Sequence, residues 1–576
     1  MTSEPFATFD PRLRWRARVT RVGLPLTVAW TLAAALAWGI AIYHYRYEGP
    51  PATAIFAGAV SAALIASLAF VSRRALFSIA VIAALLAIIV VAADVKRRYI
   101  EMVLHAYDVV FYLTSYSTLS FLWVDHKTAL LGLVAAAIST VTAARLIFRF
   151  DPTRVPRLWS GALFVCCVGL AIVASQAKGE RRNTLFYWDN LYISSFYSSW
   201  SETLETLWRG QLIEALRVQS KPLFKLPATC EPKERPPHII LIHQESVVPP
   251  SYFPTLGHDL ALNSFFASED GKMHKLRVET YGGASWLTEF SVLTGVSTYS
   301  FGGMRSFVQS LMQGKVHDTL PQSLARCGYR NSVFYPVPKD FVANGRFYAA
   351  VGMPDIFDFR SQGAKRYNER DSFYYGNALN HLETQLAESS RPTFTFILTA
   401  ATHLPYTYAY DPETVVPGGG PEAGPEMNEY LRRLAMAKID YDHFRAELQR
   451  RFPGERFLIM HYGDHQPVAT RTLLGFESKL AAEDVKLTPD SPGMLTYYRI
   501  DGVNYVAPPM PNVDTLDVPY LGAVLLEAAR LPMSGAFEER LRLLALCDGR
   551  YYSCANKNEI LAFHRRLIDS GFVEAR

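Results

Sequence analysis

Five long apolar runs dominate the first third of the chain, at residues 24–44, 53–71, 75–94, 128–147 and 158–176. Each has about the 17–25 residues that a helix needs to cross the hydrocarbon core of a bilayer. Lipid offers peptide groups no hydrogen-bond partner, so such segments are confined to helices. The first run is followed by others of its kind, and is expected to stay in the chain rather than be removed as a leader. Segment 102–124 differs: it is aromatic and is interrupted by His105, Asp108, Ser115 and Ser117. It reads as an interfacial or re-entrant helix rather than a sixth span.

Basic residues set the expected orientation. Arg12, Arg14, Arg16, Arg18 and Arg21 precede the first run, Arg73 and Arg74 follow the second, and Arg145, Arg149, Arg154 and Arg157 lie between the fourth and fifth. Five spans put all of these on one side, the cytoplasmic one. Lys96, Arg97 and Arg98 argue the other way, but Asp94 and Glu101 flank them. Residues 180–576 are then expected outside the cytoplasm. The net charge of +5 over 576 residues is modest and is carried partly by these flanks, so no nucleic-acid partner is expected.

After the last run, residues 180–220 are crowded with Phe186, Tyr187, Trp188, Tyr192, Phe196, Tyr197, Trp200 and Trp208. Such rings suit a membrane interface, where the ring is half buried and its polar atom stays wet. They suit equally a helix packed on a globular domain. A Pro- and charge-rich linker, Pro222 to Pro237, marks a boundary. The expected organisation is a transmembrane domain over 1–178, a connector and linker over 179–235, and a globular domain over 236–576.

In the globular part, short apolar strands at 238–244, 331–335, 393–400 and 456–462, with a weaker one at 493–500, alternate with helical stretches at 285–294, 317–328, 374–388 and 428–452. That alternation predicts a mostly parallel sheet covered on both faces. Ligands of such sheets sit at the carboxyl ends of the strands. Glu245, His403 and the pair Asp464 and His465 each fall just past a predicted strand end.

A carboxylate at a buried strand end is costly unless paired or bound to metal. Glu245, Asp464, His465 and one hydroxyl make a mixed oxygen and nitrogen donor set suited to one Zn²⁺ or Mn²⁺ ion more than to Ca²⁺. Ser285 follows Gly282-Gly283-Ala284 and opens a helical run. In that place it reads as a helix N-cap, and also as a nucleophile that metal coordination would activate. Thr288, one turn on, is the competing hydroxyl. His403 is placed to hold a phosphate oxygen or to protonate a leaving alkoxide. Lys339, Asn344 and Arg346 follow the strand at 331–335 and read as phosphate holders or as a solvated loop.

The stretch Gly282-Gly283-Ala284-Ser285-Trp286-Leu287-Thr288-Glu289-Phe290 and the run Tyr462-Gly463-Asp464-His465 resemble the membrane-anchored sulfatase-like branch of the alkaline phosphatase superfamily. That branch includes lipoteichoic acid synthases and the phosphoglycerol and phosphoethanolamine transferases. The resemblance implies an α/β/α sandwich behind an all-α bundle of five spans, in the plasma membrane with its catalytic domain extracytoplasmic. It implies Glu245, Ser285, Asp464 and His465 as ligands of one divalent metal, and Ser285 as nucleophile where the family has Thr. It implies His403, Arg346 and Asn344 on the substrate, and Lys339 and Trp286 are expected beside them. The expected reaction moves a phosphoglycerol or phosphoethanolamine headgroup from a membrane phospholipid to a glycan or glycolipid. A tethered phosphodiesterase and a non-enzymatic sensor of phosphate esters are the alternatives. The Cys-x-Pro-x-Arg pattern of true sulfatases is absent, and beyond His465 only His564 remains to serve a second zinc site.

Of six cysteines, Cys166 and Cys167 lie in an apolar run, and Cys230, Cys327, Cys547 and Cys554 in the globular part. Four thiols allow three pairings. Cys547 and Cys554 are close, with Gly549 between them for a turn. Cys230 and Cys327 precede two predicted strands, and adjacent parallel strands would bring those starts together. The expected pairs are Cys547–Cys554 and Cys230–Cys327.

Overall fold

A computed structural model of the chain describes residues 24–100, 102–112, 120, 123–124, 127–177, 191–210, 212–218, 222–227, 230–341, 344–420, 423–475 and 487–575. Expectations that fall on the N-terminal arginines, on Phe186, Tyr187 and Trp188, or on most of 113–126 lie outside the described residues. By mutual contact the chain divides into two units, residues 1–89 with 130–178, and residues 90–129 with 179–576.

Among the described residues, five helices are long and apolar enough to cross a membrane: Leu26–Tyr47, Pro51–Ser72, Ala75–Arg98, Leu130–Phe150 and Arg157–Ala177. Within the first unit, Pro51–Ser72 and Arg157–Ala177 pack along each other. The first of these buries Ala57, Ala63, Ala66 and Ala69, and the second Ser160, Cys167, Ala171 and Ala174. Small side chains let two backbones approach where no water is present to drive association. The start of the third helix is capped from a distance. Thr153 Oγ1 accepts from Ala75 and Leu76, and Asp151 Oδ2 accepts from Phe77 at 2.8 Å.

In the second unit an eight-stranded sheet runs in the order β4-β3-β5-β1-β6-β7-β2-β8. The strands are β1 His238–Gln244, β2 His274–Arg277, β3 Arg330–Phe334, β4 Asp355–Phe357, β5 Thr393–Leu398, β6 Phe457–Gly463, β7 Leu495–Val503 and β8 Thr515–Asp517. From β4 to β6 all pairings are parallel, whereas β7 is antiparallel to both β6 and β2. The apolar runs of the central strands are continuous because both sheet faces are covered. Ile239 and Leu241 of β1 join one core with Leu458 and Met460 of β6, and Ile240 and Ile242 join a second core with Phe457 and Ile459. Successive side chains alternate across a strand, so these two cores lie on opposite faces.

The predicted strands and helices recur with shifted ends. The sequence reading missed β2, β4 and β8, which have 4, 3 and 3 residues and so carry almost no period. Cys230–Cys327 and Cys547–Cys554 are bonded. Cys230 and Cys327 do not meet at the starts of adjacent strands as expected, because β5 lies between β1 and β3. The chain before β1 reaches past the end of β5, and Tyr329 OH donates to Pro237 O at 2.8 Å.

The helix Tyr192–Arg209 turns Ile193, Phe196 and Tyr197 inward. It leaves Leu204 and Trp208 exposed, the latter 92%. Of segment 102–124, residues 102–112 belong with this unit. They form an irregular stretch ending in a π-helical turn, Asp108–Tyr112. Asp108 pairs with Lys96 at 2.6 Å, Ala106 N donates to Ser199 Oγ at 2.8 Å, and Tyr107 OH meets Ser310 Oγ at 3.3 Å.

Candidate active site

The carboxyl ends of β1, β5 and β6 deliver the side chains that the sequence singled out. Glu245 follows β1, and Ser246 then turns the chain sharply at φ 56°. Asp464 and His465 follow β6. Gly463 is required just before them, because a Cβ there would overlap the Val247 carbonyl. Ser285 arrives on a tight turn in which Gly282 has φ 73° and Ala284 φ 61°. Ala284 is thus a non-glycine residue in the left-handed region, where its Cβ crowds the backbone. The turn points the first residue of the helix Ser285–Thr294 toward the strand ends. Ser285 is therefore not the N-cap that the sequence suggested. Ala284 holds that position, with no side-chain cap, and the serine hydroxyl is left for other work.

That hydroxyl donates to Glu245 Oε2 at 2.8 Å. His465 Nε2 lies 3.4 Å from Ser285 Oγ, 3.4 Å from Glu245 Oε1 and 3.3 Å from Asp464 Oδ2. His465 Nδ1 faces the Gln466 carbonyl at 3.0 Å, which favours the tautomer with the proton on Nδ1 and a bare Nε2. Four tetrahedral ligands at zinc-like bond lengths of about 2.05 Å stand about 3.3 Å apart. The donor set and its spacing therefore fit one small divalent ion. Asp464 is suited to the task. Burial pushes its carboxyl up, but the positive charge that His465 and His243 carry when protonated, with the hydrogen bonds from His243 and the Ser246 N–H, outweighs burial and holds it well below the usual carboxylate range.

His403 lies in the exposed turn after β5. Thr402, just before it, donates its hydroxyl to the Glu245 carbonyl, and Thr399 N donates to His243 O at 3.0 Å. These bonds tie the turn to the end of β1. His403 Nδ1 faces Leu404 O at 2.7 Å, leaving Nε2 outward.

The structure treats the other expected substrate residues unevenly. Arg346 and Lys339 are exposed. Asn344 is buried and its amide donates to Tyr335 OH, so it braces a ring instead of facing solvent. Trp286 is half-buried and gives its indole N–H to Ser306 O at 3.0 Å, which leaves only a ring face to offer. Thr288, the rival hydroxyl, is fully buried and donates to the Asp464 carbonyl at 2.8 Å. It supports the site and does not open onto it. His564 is remote in function: it is buried between Tyr551 OH and the Glu214 carbonyl.

Three contributors were not assigned from the sequence. His243 lies two residues before Glu245, on the same strand face, and meets Asp464 Oδ2 at 3.0 Å. The period-2 spacing was a usable signal. Glu289 stands one turn after Ser285, fully buried, where it accepts from Tyr348 OH at 2.6 Å and Gln309 Nε2 at 3.2 Å. Burial raises its pKa. Tyr348 belongs to the short helix Asn344–Ala350, so this contact ties the helix carrying Arg346 to the one carrying Ser285. Arg433, on the helix Pro425–Arg451, is fully buried. It donates to the carbonyls of His403 at 2.7 Å and Pro405 at 2.9 Å. Nothing in the sequence around it sets it apart from other helical arginines.

Residues 237–488 match the family model described as Sulfatase. An uncharacterized protein of Haemophilus influenzae is 22% identical over 338 residues, which is 55% of this chain and 58% of that protein. The chain thus spans under two thirds of that relative's length. Among solved structures, the phosphoglycerol transferase GacH of Streptococcus pyogenes, in complex with sn-glycerol-1-phosphate, is 17% identical. It covers 62% of this chain and 97% of its own, with a TM-score of 0.47. The lipoteichoic acid synthase LtaP of Listeria monocytogenes is 16% identical over 51% of this chain and 72% of its own, TM-score 0.38. The C-terminal periplasmic domain of EptC from Escherichia coli is 11% identical over 55% of this chain and 87% of its own, TM-score 0.35.

Proposed function

We propose that this sulfatase-family domain transfers a phospho-alcohol headgroup, phosphoglycerol or phosphoethanolamine, from a membrane phospholipid to a glycan or glycolipid outside the cytoplasm. The observation that carries the reading is the Ser285 hydroxyl, hydrogen-bonded to Glu245 Oε2 at 2.8 Å with a bare imidazole nitrogen of His465 3.4 Å away. Ser285 Oγ forms a bond to phosphorus as the bond from phosphorus to the diacylglycerol oxygen breaks. The hydrogen bond directs the serine proton toward the Glu245 carboxylate. His403, on its exposed turn, protonates the leaving alkoxide. It then takes a proton from the acceptor hydroxyl that attacks phosphorus, and Glu245 returns its proton to Ser285 Oγ as the bond from phosphorus to Ser285 breaks. A Zn²⁺ or Mn²⁺ ion held by Glu245, Ser285, Asp464 and His465 would lower the pKa of the serine hydroxyl and offset charge developing on the phosphoryl oxygens. Arg346 and Lys339 are free to meet the substrate phosphate.

The five apolar helices support a lipid donor, because they anchor the enzyme in the plasma membrane where that donor resides. The arginine distribution supports a catalytic domain on the extracytoplasmic side. The test uses the full chain in lipid, followed by mass spectrometry of the Ser285 peptide. The expected adduct carries one phospho-alcohol, with diacylglycerol released in equal amount, and an added glycan discharges it. Discharge to water at the same rate without glycan would instead identify a phosphodiesterase. Absence of both adduct and diacylglycerol would refute the enzyme reading.

A further inference from the structure

The two carboxylate oxygens of Asp464 have different surroundings. Oδ1 accepts backbone N–H groups from Ser246 and His465, both at 2.7 Å, and these fill its lone pairs. Oδ2 is the oxygen left to face His465 Nε2, at 3.3 Å. Its remaining side is taken by His243 Nε2 at 3.0 Å. The opposite ring nitrogen, His243 Nδ1, meets Tyr462 OH at 2.9 Å. His243 and Tyr462 are register partners on the adjacent parallel strands β1 and β6, so the sheet itself fixes the contact. An ionised Asp464 carboxylate can only accept, so His243 Nε2 carries a proton aimed at it, and Tyr462 OH completes the bonding of Nδ1. All three side chains are at least 99% buried, so water does not compete for these bonds.

We propose that His243 is a positioning residue for the cation site: through the chain Tyr462–His243–Asp464 it fixes the lone pair of Asp464 Oδ2 that faces the ion, and so sets the affinity of the site. The inference rests on the reading of Glu245, Ser285, Asp464 and His465 as cation ligands. An outer partner that orients a ligand is worth about 10–100-fold in metal affinity. The donation from Nε2 also means that His243 acts through Asp464 and is not itself a ligand.

The experiment is a Zn²⁺ titration of the chelator-stripped full chain in detergent, read by competition with a chromogenic indicator. His243→Leu should weaken binding by about 10–100-fold. His243→Gln should stay within a few-fold of the wild type, because its amide N–H reaches the place of ring Nε2. His243→Asn should weaken binding as Leu does, because its shorter amide reaches only the place of Nδ1. The Gln and Asn pair keeps the test alive if the Leu variant does not fold. Wild-type affinity in both His243→Leu and His243→Asn would overturn the proposal. So would a loss in His243→Gln as large as that in His243→Asn, since it would make the ring nitrogen a ligand. Asp464→Asn separates the two levels of the argument. If it keeps full Zn²⁺ affinity, the ligand assignment fails and takes the positioning role with it. If it loses Zn²⁺ while His243→Leu does not, the ligand assignment stands and the positioning role alone is wrong.

Discussion

Replacing Arg433 with Met should free the turn that carries His403. The guanidinium has no exposure to solvent. It pairs with Glu429 at 2.9 Å, donates to the carbonyls of Ala401, His403 and Pro405 at 3.4, 2.7 and 2.9 Å, and sits 5.2, 5.0 and 5.3 Å from the ring centres of Tyr406, Tyr408 and Tyr410. One side chain thus gathers six of the ten residues of the segment 401–410. Removing one partner of a buried ion pair costs about 3–5 kcal/mol. Glu429 keeps Arg432 at 3.1 Å and the Tyr410 N–H at 2.8 Å, so the lower end, about 3 kcal/mol, applies here. Spent on local opening, that is a rise on the order of 10²-fold in the open population. Hydrogen exchange of the amides of residues 401–411 in the full chain should speed up by that order, and turnover should fall with it while Zn²⁺ binding persists. Arg433→Met combined with Glu429→Gln should recover part of the exchange protection, because no buried charge is then left alone. Unchanged exchange in the single variant would refute the clamp. A loss of turnover with no change in exchange would show that Arg433 acts in some other way.

Ser285→Ala should abolish both the phosphoserine adduct and diacylglycerol release while leaving the fold intact, because the hydroxyl makes no capping bond. Melting curves and peptide mass spectra check this, and residual release above about one part in 10³ would point to direct attack by water. Gly463→Ala should fail to assemble the site, since its methyl meets the Val247 carbonyl. A well-folded variant with normal Zn²⁺ affinity would contradict that packing. Asp371 predicts a pH effect. Burial, with Asp440 nearby, raises its carboxyl pKa to about 7, against the opposing N–H groups of Ala401 and Ala400. The folded state therefore holds a proton that the unfolded chain releases at lower pH. This contribution is fully present below the unfolded pKa of about 4 and is lost as pH rises through about 7. Asp371→Asn should flatten the decline in melting temperature between pH 5 and 8, whereas parallel curves for the two proteins would remove Asp371 as its cause.

The sequence alone determined the elements whose physics is local. A bilayer-length apolar run is a helix whatever surrounds it, and the described helices carry each predicted run a few residues further at most. A central strand buried on both faces carries apolar residues on both, so β1, β3, β5 and β6 were legible, and with them the strand ends that hold Glu245, His403, Asp464 and His465. The tight turn before Ser285 was written in Gly282 and Gly283. Tertiary structure decided what depends on partners far along the chain. Strands β2, β4 and β8 exist because neighbours complete their hydrogen bonds, and three or four residues carry no period of their own. The place of β5 between β1 and β3 follows from crossover connections, which leave no mark on either strand. Ala284 displaced Ser285 from the N-cap because the turn had to aim the hydroxyl at Glu245, 40 residues earlier in the chain. Asn344 and Trp286 were drawn inward by Tyr335 and Ser306. His243 and Arg433 acquired their roles only through contacts that folding creates. An imidazole on a buried strand and an arginine on a long helix look ordinary until the sheet sets one beside Asp464 and the helix sets the other beneath the His403 turn.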